Sequence, residues 1–511
     1  MEIQFGIETE YGISRQQEQP IDVVAESIAL VRSAVSPGVR MCWDYSKEDP
    51  HLDMRGFRVQ ELRQDTDETF YSAEDVRRQL TFREIKSDLV LSNGARFYND
   101  HAHPEYCTPE CTTPLEILQQ EVVGERILTG CALALQEKTG VPVLLYKNNT
   151  DFFGHSYGCH ENYLIPRTLP WAKLSENILA FLVTRQLYCG AGKYAWEEED
   201  RFLKGRFQIS QRSDFFTVLQ SVDTMQRRPL INTRDEPHAD AGRFRRFHVI
   251  LGDSNLSPYA AYLKIGVTAL VLQALCRAGP GARVPRLDKP IDAVKAISRD
   301  TAFRWEINRE DGRPTNAIEV QRSYLMLVRR YLFESDGEEW RRVTDAWEEI
   351  LNDLEADPLS TADRLDWSAK YRLIEDFRDR EGVELDDPWV RSLDLAYHRL
   401  DPDEGLYLNL MDQGAFRLPY SAAEIYEKGL EPPASTRAAV RGLCVKKFGP
   451  RIYETQWEHL GFQGETTGRF ILDLRDLFAP GDIAKAIRFI EGTERVDDLR
   501  ALPFAKERNR G

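Results

Sequence analysis

Residues 3–10 read IQFGIETE, with apolar side chains at every second position up to residue 7. This two-residue period predicts a strand with one buried face. Residues two apart on a strand share a face, so Glu8 and Glu10 are predicted to project together, opposite the apolar row. Two such carboxylates repel unless they are solvated, protonated or bridged by a cation, and oxygen ligands suit Mg²⁺ better than Zn²⁺. An exposed edge strand is the alternative interpretation.

A second group of polar residues follows the turn signal Asn93-Gly94. Arg96, Tyr98 and Asp100 stand two residues apart, so a strand would place a guanidinium, a phenol and a carboxylate on one face. That set suits phosphate binding beside a general base or a nucleophile. A buried polar network is the alternative.

The run Asp100-His101-Ala102-His103 also suggests zinc, but a strand would place His101 and His103 on a face that Asp100 does not share. No cysteine or third histidine stands at ligand spacing in this run. Cys107 and Cys111 are a close cysteine pair, and no second pair accompanies them. The sequence therefore disfavours a zinc site here.

Two further polar segments lie in the first half, where six of nine histidines fall between residues 101 and 248. One is the glycine-bounded loop at residues 147–162, of a kind that often binds ligands. The other, at residues 232–238, reads NTRDEPH and has three more arginines near it in sequence: Arg212, Arg245 and Arg246. These arginines suggest an anionic ligand, with a surface ion-pair network as the alternative. The sequence has no Walker A or dinucleotide fingerprint, so a nucleotide would have to bind differently.

The chain has 511 residues, 42% apolar and 29% charged, which is typical of globular proteins and is too long for one ordinary core. A net charge of −16 argues against a non-specific nucleic-acid binder. The most apolar stretch, at residues 265–272, is too short to cross a bilayer. The N-terminus lacks a signal-peptide pattern, and the eight cysteines are too sparse for a disulfide framework, so we expect a cytoplasmic protein. We also expect it to bind neither nucleic acid nor membrane.

Strand and helix patterns alternate in the first half, and helices dominate from about residue 259. A capping signal at residues 113–116 predicts a helix that ends near Gly140. An apolar stripe at helical spacing predicts a core helix through Trp340, Val343, Trp347, Ile350 and Leu354. Residues 46–75 contain 13 charged residues in 30, and their apolar residues follow neither the period of a strand nor that of a helix. This predicts a long mobile insertion, either functional or disordered. The best linker candidate is PPAST at residues 432–436.

At these same residues the sequence resembles the Dop/PafA family, which comprises the deamidase/depupylase and the ligase for the prokaryotic ubiquitin-like protein Pup. The resemblance is carried by GIETEYG at residues 6–12, NGARFYNDHAHPEYCTPE at 93–110, YKNNTD at 146–151, SYGCHENYL at 156–164 and INTRDEPHAD at 231–240. It continues through VILGDSN, AISRD, LDWSAKYRL and GLYLNL, so it covers nearly the whole chain.

Three features make the chain more similar to the depupylase branch than to the ligase branch. Tyr11 follows Glu10 where the ligases typically have phenylalanine. Residues 100–105 read DHAHPE, where the ligases have a longer Asp-x-Gly-Ser-His-Pro-Glu run. The insertion, over about residues 46–80, resembles a loop that ligases lack.

The resemblance implies an α+β fold. A glutamine-synthetase-like catalytic domain, with a curved and mostly antiparallel sheet packed by helices, would span residues 1–430. A small C-terminal domain would span residues 437–511.

By motif position, the resemblance also implies a ligand set. Mg²⁺ would be bound by Glu8, Glu10, Tyr98 and Glu105. ATP, or ADP with phosphate, would contact Arg96, Thr108 and Trp457. Asp100 occupies the position of the catalytic aspartate. By charge and location, the phosphates or a glutamyl carboxylate would be held by Arg212, Arg234 and His238.

The implied activity is hydrolysis of the isopeptide bond between the C-terminal glutamate of Pup and a substrate lysine, with deamidation of a C-terminal glutamine of Pup. The expected partners are Pup or a Pup-like modifier and pupylated proteins, and we expect a monomer. Asp100 would act as a general base or as a nucleophile, or a nucleotide-derived phosphate would attack, and the sequence leaves these open. A Pup ligase of the same fold and an inactive Pup-binding protein are the alternatives.

Overall fold

The computed structural model describes residues 3–62, 77–194, 206–224, 228–332, 336–466 and 468–507. In this part of the chain the strands are β1 Phe5–Glu10, β2 Gly12–Arg15, β3 Gly38–Arg40, β4 Leu52–Asp53, β5 Phe57–Arg58, β6 Leu89–Leu91, β7 Arg96–Asp100, β8 His103–Cys107, β9 Val143–Tyr146, β10 Cys159–Pro166, β11 Lys193–Tyr194, β12 Phe207–Gln208, β13 Val218–Ser221, β14 Pro229–Asn232, β15 Phe244–Val249, β16 Glu306–Asn308, β17 Pro314–Asn316, β18 Ile452–Thr455, β19 His459–Gln463, β20 Arg469–Asp473 and β21 Ala505–Glu507. The helices are α1 Val23–Arg32, α2 Phe82–Lys86, α3 Pro114–Thr139, α4 Trp171–Thr184, α5 Gln186–Cys189, α6 Pro258–Ala278, α7 Pro290–Arg299, α8 Ala317–Tyr331, α9 Glu338–Ala356, α10 Asp366–Glu381, α11 Pro388–Tyr397, α12 Leu406–Asp412, α13 Ala422–Tyr426, α14 Arg437–Phe448 and α15 Pro480–Gly492.

Nine of these strands form one sheet, in the order β13-β14-β15-β10-β1-β8-β7-β6-β3. Every neighbouring pair is antiparallel except β13 with β14. The predicted α+β fold with a mostly antiparallel sheet is therefore confirmed. Strand β1 lies inside this sheet and is paired on both sides, with β8 and with β10. The alternative that residues 3–10 form an exposed edge strand is therefore wrong.

Strands β7 and β8 form a tight hairpin in which Asp100 lies opposite His103. The turn contains His101, whose φ is +50°, and Ala102. The prediction that His101 and His103 share a strand face is wrong, because the chain reverses direction between them. Asp100 and His103 are instead directly opposed across the hairpin and lie on the same face of the sheet.

The helices that pack on the sheet begin and end where their signals predict. The Thr113 side chain accepts a hydrogen bond from the Glu116 N–H, and the Glu116 carboxylate accepts one from the Thr113 N–H. Gly140 ends helix α3 with a φ of +73°. The apolar stripe of α9 is buried, which confirms it as core. Helix α6 is long and apolar enough to cross a membrane. However, 89% of its most apolar 18-residue stretch is buried inside the protein, as in a core helix.

Near the C-terminus, α14 and α15 share an apolar cluster with a four-stranded antiparallel sheet in the order β18-β19-β20-β21. Their apolar cluster also includes Val39 of β3, Trp43 and Val90 of β6. The small sheet is therefore packed against the β3 edge of the large one. The domain boundaries expected at residues 430 and 437 stay a prediction.

The predicted insertion begins with ordered structure. Residues 45–47 form a 3₁₀ turn, and β4 and β5 form a short hairpin. This hairpin is bonded to the loop after β14, since the Met54 N–H donates to the Thr233 carbonyl at 2.8 Å and the Asp235 N–H to the Leu52 carbonyl at 2.9 Å. Residues 63–76, to which the prediction of mobility also applied, lie outside the described residues.

Candidate active site

Five adjacent strands of the large sheet, β15, β10, β1, β8 and β7, present polar side chains on one face. The register places Glu10 opposite Glu105, and Glu105 opposite Tyr98. One carboxylate oxygen each of Glu10, Asp100 and Glu105 lie within 4.8 Å of one another. The structure therefore brings together three predicted metal ligands and the predicted catalytic aspartate.

The carboxyl group of Glu105 is the most deeply buried member of this acidic cluster. It is 3% exposed, and burial raises its pKa well above the usual range, with further contributions from Asp100, Glu8 and Glu10. A buried carboxyl group surrounded by acids is stabilised by a proton or by a cation. Three oxygen ligands in one place are the donor set that Mg²⁺ prefers, so the residues present fit that ion.

Asp100 has a partner that the sequence interpretation missed. The ammonium of Lys86, at the end of α2, donates to Oδ1 of Asp100 at 2.6 Å. Burial alone would raise the pKa of Asp100, but Lys86 lowers it below the usual range. Asp100 is therefore an ionised carboxylate. The sequence offered no signal for Lys86, because its position depends on how a five-residue helix packs.

Glu8 lies in a different cluster from the other predicted metal ligands. It is opposite Cys107 and His160, and its Oε2 lies 3.6 Å from His160 Nδ1 and 3.6 Å from His248 Nε2. Both ring nitrogens of His248 are buried without a hydrogen-bond partner. Burial, and then Arg246, lower the pKa of His248 well below its usual value, so its ring is neutral and able to bind a cation.

Neither His160 nor His248 was assigned a role from the sequence. The concentration of histidines before residue 248 was the available signal. Neither residue could be joined to Glu8 without the pairing of β1 with β10 and of β10 with β15. The four predicted ligands thus divide into two clusters that share one sheet face.

Arg96 is held in a sandwich of aromatic rings. Its guanidinium carbon lies 4.0 Å from the ring centre of Trp43 and 3.8 Å from that of Tyr98. It donates to Oδ1 of Asp88 at 2.6 and 2.8 Å and to the Tyr45 hydroxyl at 2.7 Å. Burial, with Asp100 and Glu105 nearby, raises the pKa of Tyr98, so the phenol is neutral. If Tyr98 binds a cation, it does so as a neutral oxygen ligand.

The polar face forms the floor of a large cleft with a cavity volume of about 510 Å³. Trp457, Arg234, His238 and Arg246 line the cleft. A narrower pocket leads off beneath Trp457 and contains Thr108. There a Cβ at Gly6 would lie 3.2 Å from the Thr108 hydroxyl oxygen, closer than an ordinary contact, so Thr108 would have to shift to admit a larger residue.

The predicted anion-binding residues separate in the structure. Arg234 and His238 line the cleft, and His238 Nδ1 lies 3.7 Å from a Glu458 carboxylate oxygen. Arg212 is 1% exposed and donates to the carbonyls of Ile250, at 2.6 Å, and Gly252, at 3.2 Å. Its guanidinium therefore supports the backbone and is not brought to the cleft.

Arg246 has the position that was expected of Arg212. It lines the cleft, and its guanidinium lies 3.5 Å from Glu8 and 3.4 Å from Glu236. Alternation along β15 was the available signal, because Arg246 and His248 are two residues apart.

A family model described as Pup-ligase protein matches residues 4–461. The chain belongs to the Pup-ligase family. This member of the Pup-ligase family is 40% identical over 470 residues to a depupylase of Acidothermus cellulolyticus, with 89% of this chain and 90% of the relative covered. It is 38% identical over 468 residues to a Pup deamidase/depupylase of Mycobacterium tuberculosis, with the same coverage of 89% and 90%. It is 41% identical over 409 residues to a Pup–protein ligase of Xylanimonas cellulosilytica, with 76% of this chain and 88% of the relative covered.

Two solved structures of the Pup-ligase family are similar over most of the chain. The complex between Pup and its ligase PafA has a TM-score of 0.76 at 28% identity, covering 96% of this chain and 91% of that chain. PafA in complex with ADP has a TM-score of 0.71 at 29% identity, covering 88% and 98%. The glutamine-synthetase-like fold that the resemblance implied is confirmed.

Proposed function

We propose that this chain is a depupylase, which hydrolyses the isopeptide bond between the C-terminal glutamate of Pup and a substrate lysine and deamidates a C-terminal glutamine of Pup. The observation that carries the proposal is the ionised carboxylate of Asp100, held by Lys86 beside Glu10 and Glu105. The share of this chain covered by each sequence alignment also supports the depupylase role. The depupylase of Acidothermus cellulolyticus aligns with 89% of this chain, and the ligase of Xylanimonas cellulosilytica aligns with 76%.

The proposed cofactors are Mg²⁺ and ATP, or ADP with phosphate. The cation would be held by Glu10 and Glu105, with Tyr98 beside them, and a second one by the Glu8 cluster. The nucleotide would enter the pocket beneath Trp457 and next to Thr108, and the ADP complex of PafA supports a nucleotide in this fold. When bound, Mg²⁺ would supply positive charge that polarises the isopeptide carbonyl.

The chain's own residues would then position the reacting groups. Asp100 is ionised and so is able to take a proton from water or to attack the isopeptide carbon directly. Lys86 fixes one carboxylate oxygen of Asp100 and leaves the other for the reaction. Arg234 and Arg246 would attract the carboxylates of the Pup C-terminus toward the same end of the cleft.

The test is a release assay. Purified protein, Mg-ATP and a Pup-conjugated substrate are mixed, and intact masses are followed over time, with Asp100→Asn as the inactive comparison. We expect the modifier mass to be lost with the native chain and retained with Asp100→Asn. Full cleavage by Asp100→Asn would contradict the role of Asp100.

A Pup–protein ligase is the competing candidate, because a solved ligase complex covers 96% of this chain. The same assay distinguishes the two. Joining of free Pup to free substrate as ADP accumulates, with conjugates left uncut, would replace the depupylase proposal by the ligase.

A further inference from the structure

A second group of side chains able to bind metal lies on the small sheet. Residues 42–44 run beside β18, since the Asp44 N–H donates to the Thr455 carbonyl at 2.9 Å and the Thr455 N–H to the Cys42 carbonyl at 2.7 Å. This parallel pairing places the Asp44 side chain on the face that carries Glu454 and His459. His459 Nε2 lies 3.1 Å from Glu454 Oε1 and 3.8 Å from Asp44 Oδ2.

The Asp44 carboxylate has one satisfied and one unsatisfied oxygen. Oδ1 accepts hydrogen bonds from the Ser46 N–H at 3.1 Å and from the Ser46 hydroxyl at 2.6 Å. Oδ2 is buried and accepts none, although Asp44 is only 7% exposed. A buried carboxylate oxygen without a donor is costly, so this oxygen points to a missing partner.

A proton does not supply that partner. A single N–H on Nε2 of His459 serves Glu454, at 3.1 Å, and leaves Oδ2 of Asp44 at 3.8 Å without a hydrogen bond. A cation can contact all three groups, because one ligand atom from each lies within 4.8 Å of the other two. The residues therefore fit a divalent ion better than a hydrogen-bonded histidine.

We propose that Asp44, Glu454 and His459 form a structural site for a divalent first-row transition ion, with Zn²⁺ as the ion to test. One imidazole nitrogen with two carboxylate oxygens suits Zn²⁺ better than Mg²⁺, and water would complete the coordination. The site is separate from both clusters of the cleft and shares no residue with them.

The ion would stabilise a wall of the cleft without touching it. Gln456 donates to the Asp44 carbonyl at 2.8 Å, and the neighbouring Trp457 ring meets Trp43 edge-on at 5.4 Å. Trp43 in turn stacks on Arg96. A cross-link between Asp44 and the β18–β19 hairpin therefore fixes two of the aromatic rings that line the cleft.

The test is Zn²⁺ binding to the full chain after treatment with EDTA. Excess Mg²⁺ is added so that it occupies the acidic cluster of the cleft, and bound zinc is measured by equilibrium dialysis and mass spectrometry. The variants are Asp44→Asn, Glu454→Gln and His459→Gln. The control, Glu465→Gln, makes the same change of charge in the same region, where Glu465 pairs with Arg495 at 3.1 Å.

The native chain and the control are expected to hold one more Zn²⁺ than each of the three variants, or to bind it at least ~10-fold more tightly. Equal zinc binding by the native chain and His459→Gln overturns the proposal.

A second measurement does not depend on whether the variants fold. Anomalous diffraction at the zinc edge, from crystals of the native chain soaked in Zn²⁺, is expected to show a peak between Asp44, Glu454 and His459. No peak at that place overturns the proposal.

Discussion

The ammonium of Lys86 lies 2.6 Å from Oδ1 of Asp100, beside two other acids of the cleft, Glu10 and Glu105. Burial opposes the charge of Lys86, but Asp100 raises the pKa of Lys86 above its usual value. Both partners are therefore charged, and Asp100 remains an anion in a place where its neighbours would otherwise favour protonation.

Replacing Lys86 by methionine is expected to lower turnover on the order of 10²-fold, because Asp100 loses the charge that keeps it ionised and oriented. Turnover is measured with a Pup conjugate under saturating Mg-ATP. Lys86→Arg keeps the charge and is expected to retain more activity than Lys86→Met. Equal activity of Lys86→Met and the native chain would show that the pair is only structural.

Arg96→Lys is expected to weaken ADP binding at least ~10-fold, because lysine keeps the charge but loses the flat guanidinium that stacks between Trp43 and Tyr98. Isothermal titration calorimetry with ADP and Mg²⁺ measures the change. Arg243→Lys, at an exposed ion pair with Asp476, is the matched control and is expected to bind ADP normally. An unchanged Kd for Arg96→Lys would show that the stacking of Arg96 does not contribute to nucleotide binding.

Glu110 connects the large sheet to α14, accepting from Arg441 at 2.5 Å and from Arg437 at 2.7 Å. Burial alone would raise the pKa of Glu110, but these arginines lower it to about 2 from an ordinary value of 4.5. Since the folded pKa is lowered, the pair contributes about 3 kcal/mol above pH 4.5, and this is lost as the pH falls toward 2.

Glu110→Gln should therefore lower the free energy of unfolding by about 3 kcal/mol at pH 7, and the gap to the native chain should narrow at pH 3. Urea unfolding at both pH values measures it. Glu427→Gln, at an exposed position, should stay within about 0.5 kcal/mol of the native chain. A gap that is equal at pH 7 and pH 3 would contradict the ion-pair explanation.

His398 is buried as a neutral ring, with Nδ1 donating to the Lys147 carbonyl at 2.8 Å and Nε2 accepting from Lys370 at 2.6 Å. Burial, and then Lys370, lower its pKa well below 6.5. The unfolded chain binds a proton here below pH 6.5 and the folded chain does not, so stability falls as the pH falls.

The native chain should lose about 2 kcal/mol more than His398→Gln between pH 6.5 and pH 5. Thermal or urea unfolding across that range measures the free energy of unfolding of both proteins. The quantity to compare is its slope against pH, and not its value at neutral pH. Parallel pH profiles would mean that His398 becomes protonated in the folded protein.

Local patterns in the sequence predicted the elements that depend on neighbouring residues. Alternation gave the strand with Glu8 and Glu10, and the capping residues gave helix α3 with its end at Gly140. The turn at His101 was missed because its positive φ is carried by a histidine, where glycine or asparagine is the usual signal. A single residue of this kind reversed the chain and changed which side chains share a face.

Long-range pairing could not be read from the sequence. His248 meets Glu8 only because β10 lies between β1 and β15, and no local period carries that order. From charge and location in the sequence, Arg212 was assigned to anion binding, and Arg246 was noted only as a nearby arginine. The structure separates them, because Arg212 donates to buried carbonyls while Arg246 projects from β15 into the cleft.

The interior position of β1 also bears on how the protein is made. Residues 5–10 leave the ribosome well before their partners at residues 103–107 and 159–166. Until then this strand has two unpaired edges in a nascent chain, which makes it a segment for chaperones to shield. The Glu8 cluster is complete only after His248 has been synthesised, so a stalled or truncated translation product that ends earlier lacks part of the site.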